Sequence, residues 1–277
     1  MHFQWYPGHM TKAKRMMQEN IKLIDLVIEL LDARIPLASR NPDIDQLAQN
    51  KARMIILNKA DLAEDKWNAA WEEYFREKGY EVVRINSRNA GKMKSVHSVI
   101  QAACKEKIER DRKRGILNRP VRAMVVGKST FINSLAGKAC AKTGNKPGVT
   151  KGKQWIRLNK QVELLDTPGI LWPKFEDQSV GQKLAFIGSI KDEIVNTEDL
   201  AAELIRFMNS AYKGVLEEKY QIEGAEDPYQ LLEGIARSRN CLLKGQELDT
   251  GKAALLLLDD FRNGKLGRLT LEYPPEV

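Results

Sequence analysis

The chain has 277 residues, of which 43% are hydrophobic and 30% are charged, and its formal net charge is +8. Because one domain usually has about 100–200 residues, this length predicts two domains. No apolar run approaches the roughly 20 residues needed to cross a bilayer, and the amino terminus lacks a secretory signal pattern, so we expect a cytoplasmic protein with no membrane partner.

Short apolar runs alternate with segments of helical period through the first two thirds of the chain. This is the pattern of βαβ units around a largely parallel sheet, and it predicts an α/β fold. The six predicted strands are Asp25–Leu31, Arg53–Asn58, Glu81–Ile85, Arg122–Gly127, Gln154–Leu158 and Gln161–Asp166. Ligands of open α/β sheets bind at the carboxyl ends of the strands, so the turns that follow these strands are where the site is expected.

Two changes of composition predict how the chain is divided. The charge-dense segment between Cys104 and Val121 indicates a connector between the third and fourth strands. Beyond residue 175, an N-cap at Thr197 and a second cap at Asp249 each precede an apolar pattern of helical period. The apolar positions of the first of these helices are Leu200, Leu204, Ile205 and Met208. We therefore predict an α/β domain over residues 1–175 and a smaller, mainly helical domain that binds RNA over residues 176–277.

The cysteines and histidines indicate no metal or disulfide chemistry. Cys104, Cys140 and Cys241 are odd in number and far apart, which argues against a disulfide framework and favours buried, reduced thiols. The histidines are equally scattered, so no transition-metal site is predicted.

The tetrapeptide Asn58-Lys59-Ala60-Asp61 follows the second predicted strand and matches the N-K-x-D pattern of guanine recognition. A carboxylate at Asp61 can accept hydrogen bonds from the ring N–H and the exocyclic amine of guanine, which adenine cannot offer. An ordinary solvated turn is the alternative for an isolated N-K-x-D, but the neighbouring motifs favour recognition of guanine. Asn86-Ser87-Arg88 ends the third strand and is a candidate for a backbone contact to the guanine oxygen.

The segment Gly127-Lys128-Ser129-Thr130 follows the fourth predicted strand and has the ending of a phosphate-binding loop. It lacks the first half of G-x-x-x-x-G-K-[ST], about five residues whose backbone N–H groups form the phosphate cradle. Either these residues were deleted, or a segment of the protein is missing from this sequence. We favour the second explanation, because a deletion would cripple a site whose other parts are intact. Lys128 would then meet the β- and γ-phosphates, and Ser129 would bind Mg²⁺.

Two further segments would complete a magnesium and γ-phosphate site. Asp166-Thr167-Pro168-Gly169 closes the sixth strand, where Asp166 can hold Mg²⁺ and the amide of Gly169 can meet the γ-phosphate. Thr150, in a glycine- and proline-rich loop, is the candidate for a threonine that senses Mg²⁺, with Thr143 in reserve. An ordinary flexible loop is the alternative for that threonine.

The motifs occur in a circularly permuted order, because the guanine motifs precede the phosphate motifs. Joining the original termini through Lys105–Val121 and opening the chain after Gly169 would preserve the same six-stranded sheet. The turn at Gly169 then leads directly into the helical domain. We expect the nucleotide state to reposition that domain.

With these motifs in this order, the chain resembles the ribosome biogenesis GTPase A family, whose members are circularly permuted bacterial P-loop GTPases. The resemblance covers nearly the whole sequence and includes Trp5–Met10, Asp32–Pro36, Asn58–Asp61, Pro147–Thr150 and Asp166–Pro173. It implies a GTP-hydrolysing assembly factor for the large (50S) ribosomal subunit, with rRNA contacts and with hydrolysis stimulated by the ribosomal particle. It also implies that the missing loop segment supplies an asparagine linked to K⁺ binding. The expected cofactors are therefore GTP or GDP and Mg²⁺, with K⁺ as a further candidate.

The catalytic residue is the least specified part of the site. Ile170 stands where many GTPases carry the glutamine that orients the attacking water, and isoleucine cannot do so. The resemblance implies that His9 is the catalytic residue. The alternative is that His9 has a structural role or is simply exposed.

The net positive charge favours a polyanionic partner. Twelve basic residues are candidates for rRNA contacts, with Trp5 and Tyr6 available to stack on bases: Lys12, Lys14, Arg15, Arg110, Arg112, Lys113, Arg114, Lys151, Lys153, Arg262, Lys265 and Arg268. We expect a monomeric switch that acts on the large-subunit precursor and its rRNA. An RNA-binding adaptor in which the nucleotide only stabilises the fold is the alternative.

Overall fold

The computed structural model describes residues 15, 17–86, 93–126, 154–166 and 177–275. The chain divides into two compact units. The helical unit comprises Asp177–Leu269, and the sheet unit comprises Gln4–Glu176 together with Thr270–Val277. The residues from Thr270 onward therefore belong with the sheet, although the sequence predicts one helical domain over all of residues 176–277. Hydrogen bonds to the sheet unit, described below, are the physical reason.

A six-stranded sheet in the order β3-β2-β1-β4-β6-β5 forms the centre of the sheet unit. Its strands are β1 (Leu26–Asp32), β2 (Ala52–Asn58), β3 (Glu81–Arg84), β4 (Val121–Val126), β5 (Gln154–Arg157) and β6 (Val162–Asp166). Every neighbouring pair is parallel except β5 and β6, which are antiparallel. The predicted sheet is thus observed, and each predicted strand boundary lies within one residue of the observed one.

Helices cover both faces of this sheet, and its central strands are therefore rich in buried apolar residues, although β1 also contains the buried Glu29. In the described part of the sheet unit, the α-helices with defined bounds are α1 (Asp43–Leu47), α2 (Asp65–Glu77), α3 (Met93–Ala103) and α4 (Lys105–Lys113). Val96 and Ile100 of α3 pack on one face of the sheet. Trp71 and Phe75 of α2 pack on Leu31 and its neighbours.

The segment predicted as a connector contains the helix α4. Almost all residues of α4 are charged, so the segment lacks the wide apolar stripe by which an amphipathic helix is recognised in a sequence. The ion pair of Lys107 with Asp111, at 3.1 Å and one helical turn apart, supports it instead.

The helical unit consists of five helices: α5 (Gln178–Phe186), α6 (Thr197–Ala211), α7 (Val215–Tyr220), α8 (Pro228–Ser238) and α9 (Thr250–Arg262). The predicted apolar face of α6 is buried. The predicted N-cap of this helix at Thr197 is wrong by one residue, because the side chain of Asn196 accepts from the backbone N–H groups of Glu198 and Asp199. None of the helices in the described ranges is both long and apolar enough to cross a membrane.

Candidate functional site

The parallel strands bring the predicted motifs to one edge of the sheet. Asp32 and Asn58, the last residues of β1 and β2, are direct neighbours in the register. On the other side of the sheet centre, Asp166 at the end of β6 is paired with Val125 of β4. The carboxyl ends of these strands therefore face the same region, as binding in open α/β sheets requires.

The turn after β2 has a defined conformation. Lys59 adopts the left-handed region, with φ 56° and ψ 33°, and a short 3-10 helix over Ala60–Leu62 follows it. The backbone N–H of Ala60 donates to the carbonyl of Ile85 at 3.2 Å, and this bond places the turn beside Asn86. The two predicted guanine motifs are thus adjacent where they are described. Asp61 is exposed, so its carboxylate is accessible to a ligand.

Residues at the carboxyl end of β1 contact this turn and support it. The Asp32 carboxylate receives two hydrogen bonds of 2.9 Å from the Arg34 guanidinium and a third of 3.1 Å from the Arg34 backbone N–H. Its Oδ2 atom also lies 3.1 Å from the Lys59 ammonium. The side chains of Arg34 and Asp32 are only 1% and 7% exposed, whereas that of Lys59 is 30% exposed. Asp32 thus links a buried arginine to the lysine of the turn.

The electrostatics of this cluster keep Asp32 ionised. Burial by itself would raise the pKa of the Asp32 carboxyl. The charge and hydrogen bonds of Arg34, together with the charge of Lys59, outweigh that effect and hold the pKa well below its usual range. The carboxylate is therefore a permanent negative partner for Lys59 near neutral pH.

A side chain of α2 also supports the turn. The side-chain amide of Asn68, which is buried, donates to the carbonyl of Ala60 at 2.8 Å and to that of Ala63 at 3.4 Å. Because these carbonyls belong to the 3-10 turn and its exit, Asn68 fixes the backbone on both sides of Asp61.

Much of the predicted phosphate and magnesium site lies outside the described residues. This applies to His9, Ser87, Gly127, Lys128, Ser129, Thr130, Thr150 and Gly169. The position of Asp166 in β6 is described, but its side chain is not. The phosphate-loop and magnesium assignments therefore stay predictions.

Sequence reasoning gave no role to Asp32, Arg34 or Asn68. Asp32 offered a signal, because an acidic residue closes an apolar strand next to the strand that leads into N-K-x-D. Asn68 offered none, since a polar residue in an exposed-looking stretch of α2 is ordinary.

Comparisons with known protein families support a nucleotide site. A family model described as a 50S ribosome-binding GTPase matches residues 123–231. Ribosome biogenesis GTPase A from Bacillus cereus is 48% identical over 282 aligned positions, which cover 100% of this chain and 95% of the relative. The protein of the same name from Thermotoga maritima is 32% identical, with 99% of this chain and 95% of the relative covered.

Solved structures with the same architecture contain bound nucleotides. The GNP-bound crystal structure of YlqF from T. maritima is 28% identical, has a TM-score of 0.66, and covers 96% of this chain and 100% of its own. The GDP-bound structure of TM YlqF is 26% identical, has a TM-score of 0.68, and covers 95% of this chain and 100% of its own.

Proposed function

Because the chain belongs to the ribosome biogenesis GTPase A family, we propose that it is a GTP-hydrolysing assembly factor that acts on the large (50S) ribosomal subunit. The family membership establishes a circularly permuted P-loop GTPase domain that binds guanine nucleotides. The finer proposal is a nucleotide-dependent switch that binds rRNA and whose hydrolysis is stimulated by the large-subunit precursor. A monomer in the cytoplasm is part of the same proposal.

The observation that carries the proposal is the fixed turn of Asn58–Asp61 beside Asn86. An exposed carboxylate on a backbone held by hydrogen bonds to Ile85 and Asn68 suits the two N–H donors of guanine. A turn that served only to connect β2 with α2 would not need a buried ion-pair cluster beside it. The names of the relatives add the ribosome as the proposed target.

We assign the remaining roles by motif. Lys128 and the backbone of residues 127–130 would bind the phosphates, and the amide of Gly169 would contact the γ-phosphate. Ser129, Thr150 and Asp166 would hold Mg²⁺, which neutralises charge on the phosphates, and K⁺ remains a proposed additional ion. His9 would orient the attacking water.

Basic residues on α4 are the strongest candidates for rRNA contacts. Arg110, Arg112, Lys113 and the following Arg114 are all exposed. Arg262 is a weaker candidate than the sequence suggested, because its guanidinium forms two 2.7 Å bonds with the Asp192 carboxylate and also donates to the carbonyls of Phe186 and Ala185. It ties α9 to α5 within the helical unit.

The second candidate function is an RNA-binding adaptor in which the nucleotide is mainly structural. The exposed basic side chains of Arg110, Arg112 and Lys113 suit this alternative as well, because binding of RNA phosphates needs no hydrolysis.

A turnover assay with and without large-subunit precursor separates the two functions. The switch predicts GTP hydrolysis that rises when the precursor is added. Binding of GTP and precursor without stimulation would favour the adaptor. Small-subunit particles at the same concentration are the control.

Guanine recognition is tested independently by Asp61→Asn. The amide can donate to the 2-carbonyl of xanthine but cannot accept from both N–H donors of guanine, so preference should move from GDP to xanthosine diphosphate by at least about 100-fold. A variant that kept the wild-type preference would remove Asp61 from the base site.

A further inference from the structure

The last described residues of the chain lie on the sheet unit. We call Thr270–Tyr273 the carboxyl-terminal tail. Thr270 and Leu271 are buried, and Glu272 is half-buried. These residues belong to the sheet unit, although the residues that precede them, up to Leu269, belong to the helical unit.

The tail is bonded to the loop that follows β1. The Glu272 carboxylate accepts from the backbone N–H groups of Leu37 and Ala38, at 2.6 and 3.1 Å. The Leu271 N–H donates to the carbonyl of Arg34 at 3.0 Å. Three hydrogen bonds therefore fix the tail to residues 34–38, and two of them involve a charged acceptor, which strengthens them.

The same tail is bonded to the segment that follows the N-K-x-D turn. The hydroxyl of Thr270 accepts from the backbone N–H of Glu64 at 3.2 Å. The indole N–H of Trp71, on α2, donates to the carbonyl of Glu272 at 3.0 Å. The rings of Tyr273 and Trp67 lie 4.5 Å apart between centroids, which is contact distance for an aromatic pair.

Each of these two anchored segments is connected to one partner of the ion pair between Asp32 and Lys59. Arg34, whose carbonyl binds the tail, clamps the Asp32 carboxylate. Glu64, whose N–H binds the tail, lies three residues beyond Asp61 in the segment that leaves the turn. Movement between the segments would separate Asp32 from Lys59 and displace Asp61. The tail spans the two segments and opposes that movement.

We propose that the carboxyl-terminal tail is a positioning segment for guanine recognition, which joins the loop after β1 to the exit of the N-K-x-D turn and so holds Asp61 in its base-binding geometry. This inference rests on the proposed role of Asp61. The tail does not contact the base in this scheme, so it acts on the orientation of the turn and leaves phosphate binding unaffected.

The test compares the affinities for GDP and inosine diphosphate, which lacks the exocyclic amine that Asp61 would bind. Glu272→Ala removes the acceptor for both N–H groups, and Thr270→Val removes the smaller contact without changing the shape of the side chain. Glu223→Ala, a change to an exposed glutamate of the helical unit, is the matched control. Tryptophan fluorescence verifies the fold of each variant, since the three tryptophans among the described residues, Trp67, Trp71 and Trp155, belong to the sheet unit.

For Glu272→Ala we expect GDP to dissociate roughly tenfold faster, because the variant cannot form the charge-assisted hydrogen bonds. The preference for GDP over inosine diphosphate should fall by roughly threefold, because inosine diphosphate keeps the ring N–H and loses only one of the two hydrogen bonds to Asp61. Thr270→Val should show a smaller change in the same direction, and Glu272→Gln, which keeps one acceptor oxygen, should be intermediate. If Glu272→Ala does not fold, Thr270→Val and Glu272→Gln decide the question by the same ratio.

The outcomes separate this inference from the proposed function. Equal losses of affinity for both nucleotides, or no loss in any folded tail variant, would overturn the positioning role while leaving Asp61 as the base-binding residue. A wild-type chain that did not prefer GDP over inosine diphosphate would overturn both.

Discussion

Asp32→Asn tests the buried ion pair that supports the turn. The change keeps the shape of the side chain but removes its charge. It takes away the negative charge that accepts two 2.9 Å hydrogen bonds from the Arg34 guanidinium, whose side chain is 1% exposed. Breaking a buried pair by removing one partner costs about 3–5 kcal/mol, since the other charge remains desolvated. We therefore expect the free energy of unfolding of the sheet unit to fall by about 3 kcal/mol or more at neutral pH.

Urea unfolding followed by tryptophan fluorescence measures this loss, because the helical unit contains no tryptophan and does not contribute to the signal. Glu19→Gln is the matched control. It removes the carboxylate from a 3.1 Å pair with Arg15, but those side chains are 62% and 81% exposed. An exposed pair of this type contributes about 0–1 kcal/mol, so the control should unfold nearly as the wild type does.

The pH dependence gives a second measurement. The folded-state pKa of Asp32 is lowered, so its stabilisation is complete above the unfolded value of about 3.9 and is lost as the pH falls through the folded value. The difference between wild type and Asp32→Asn should stay constant from about pH 5 to 8 and shrink only in stronger acid. A loss below about 1 kcal/mol at pH 7, or one no larger than that of Glu19→Gln, would refute the reasoning.

Three further predictions concern other parts of the molecule. Burial and the nearby Asp25 carboxylate raise the pKa of the Cys104 thiol to about 12, so iodoacetamide at pH 8 should label Cys104 only after unfolding; labelling of the folded protein at the rate of a free thiol would contradict its burial. His9→Ala should leave GTP affinity intact and lower particle-stimulated turnover, and unchanged turnover would remove His9 from the mechanism. Neutralising Arg110, Arg112 and Lys113 together should weaken rRNA binding. The slope of the logarithm of the binding constant against the logarithm of salt concentration should become less steep by roughly 0.7–0.9 for each phosphate that the protein no longer neutralises. Lys160→Gln is the exposed control, and an unchanged slope would place the RNA surface elsewhere.

Local sequence patterns predicted the sheet because each strand is a short apolar run between polar turns. Burial on both faces makes such runs recognisable without knowledge of their neighbours. The same locality explains α9, whose cap at Asp249 lies directly before its apolar face. Where two cap residues adjoin, as at Asn196 and Thr197, composition cannot choose between them and the backbone geometry decides.

The chemistry of the guanine turn was likewise predicted from contiguous residues, since N-K-x-D and its position at a strand end are local features. The contacts that hold that turn in place were not predicted from the sequence. Asp32 lies beside Lys59 only because β1 and β2 are neighbours in the sheet, and strand order is not written in any single segment.

By itself, the sequence determined the strands, the permuted order of the motifs and the residues that match guanine chemistry, because all of these depend on neighbouring positions. Only the tertiary structure decided that the carboxyl-terminal tail belongs to the sheet unit. Its hydrogen bonds join residues that are far apart in the sequence, such as Trp71 with Glu272, 201 positions apart, and Leu37 with Glu272, 235 positions apart. Hydrogen bonds over such separations depend on how the whole chain closes on itself, and a backbone amide that donates to a distant partner leaves no mark on its own sequence.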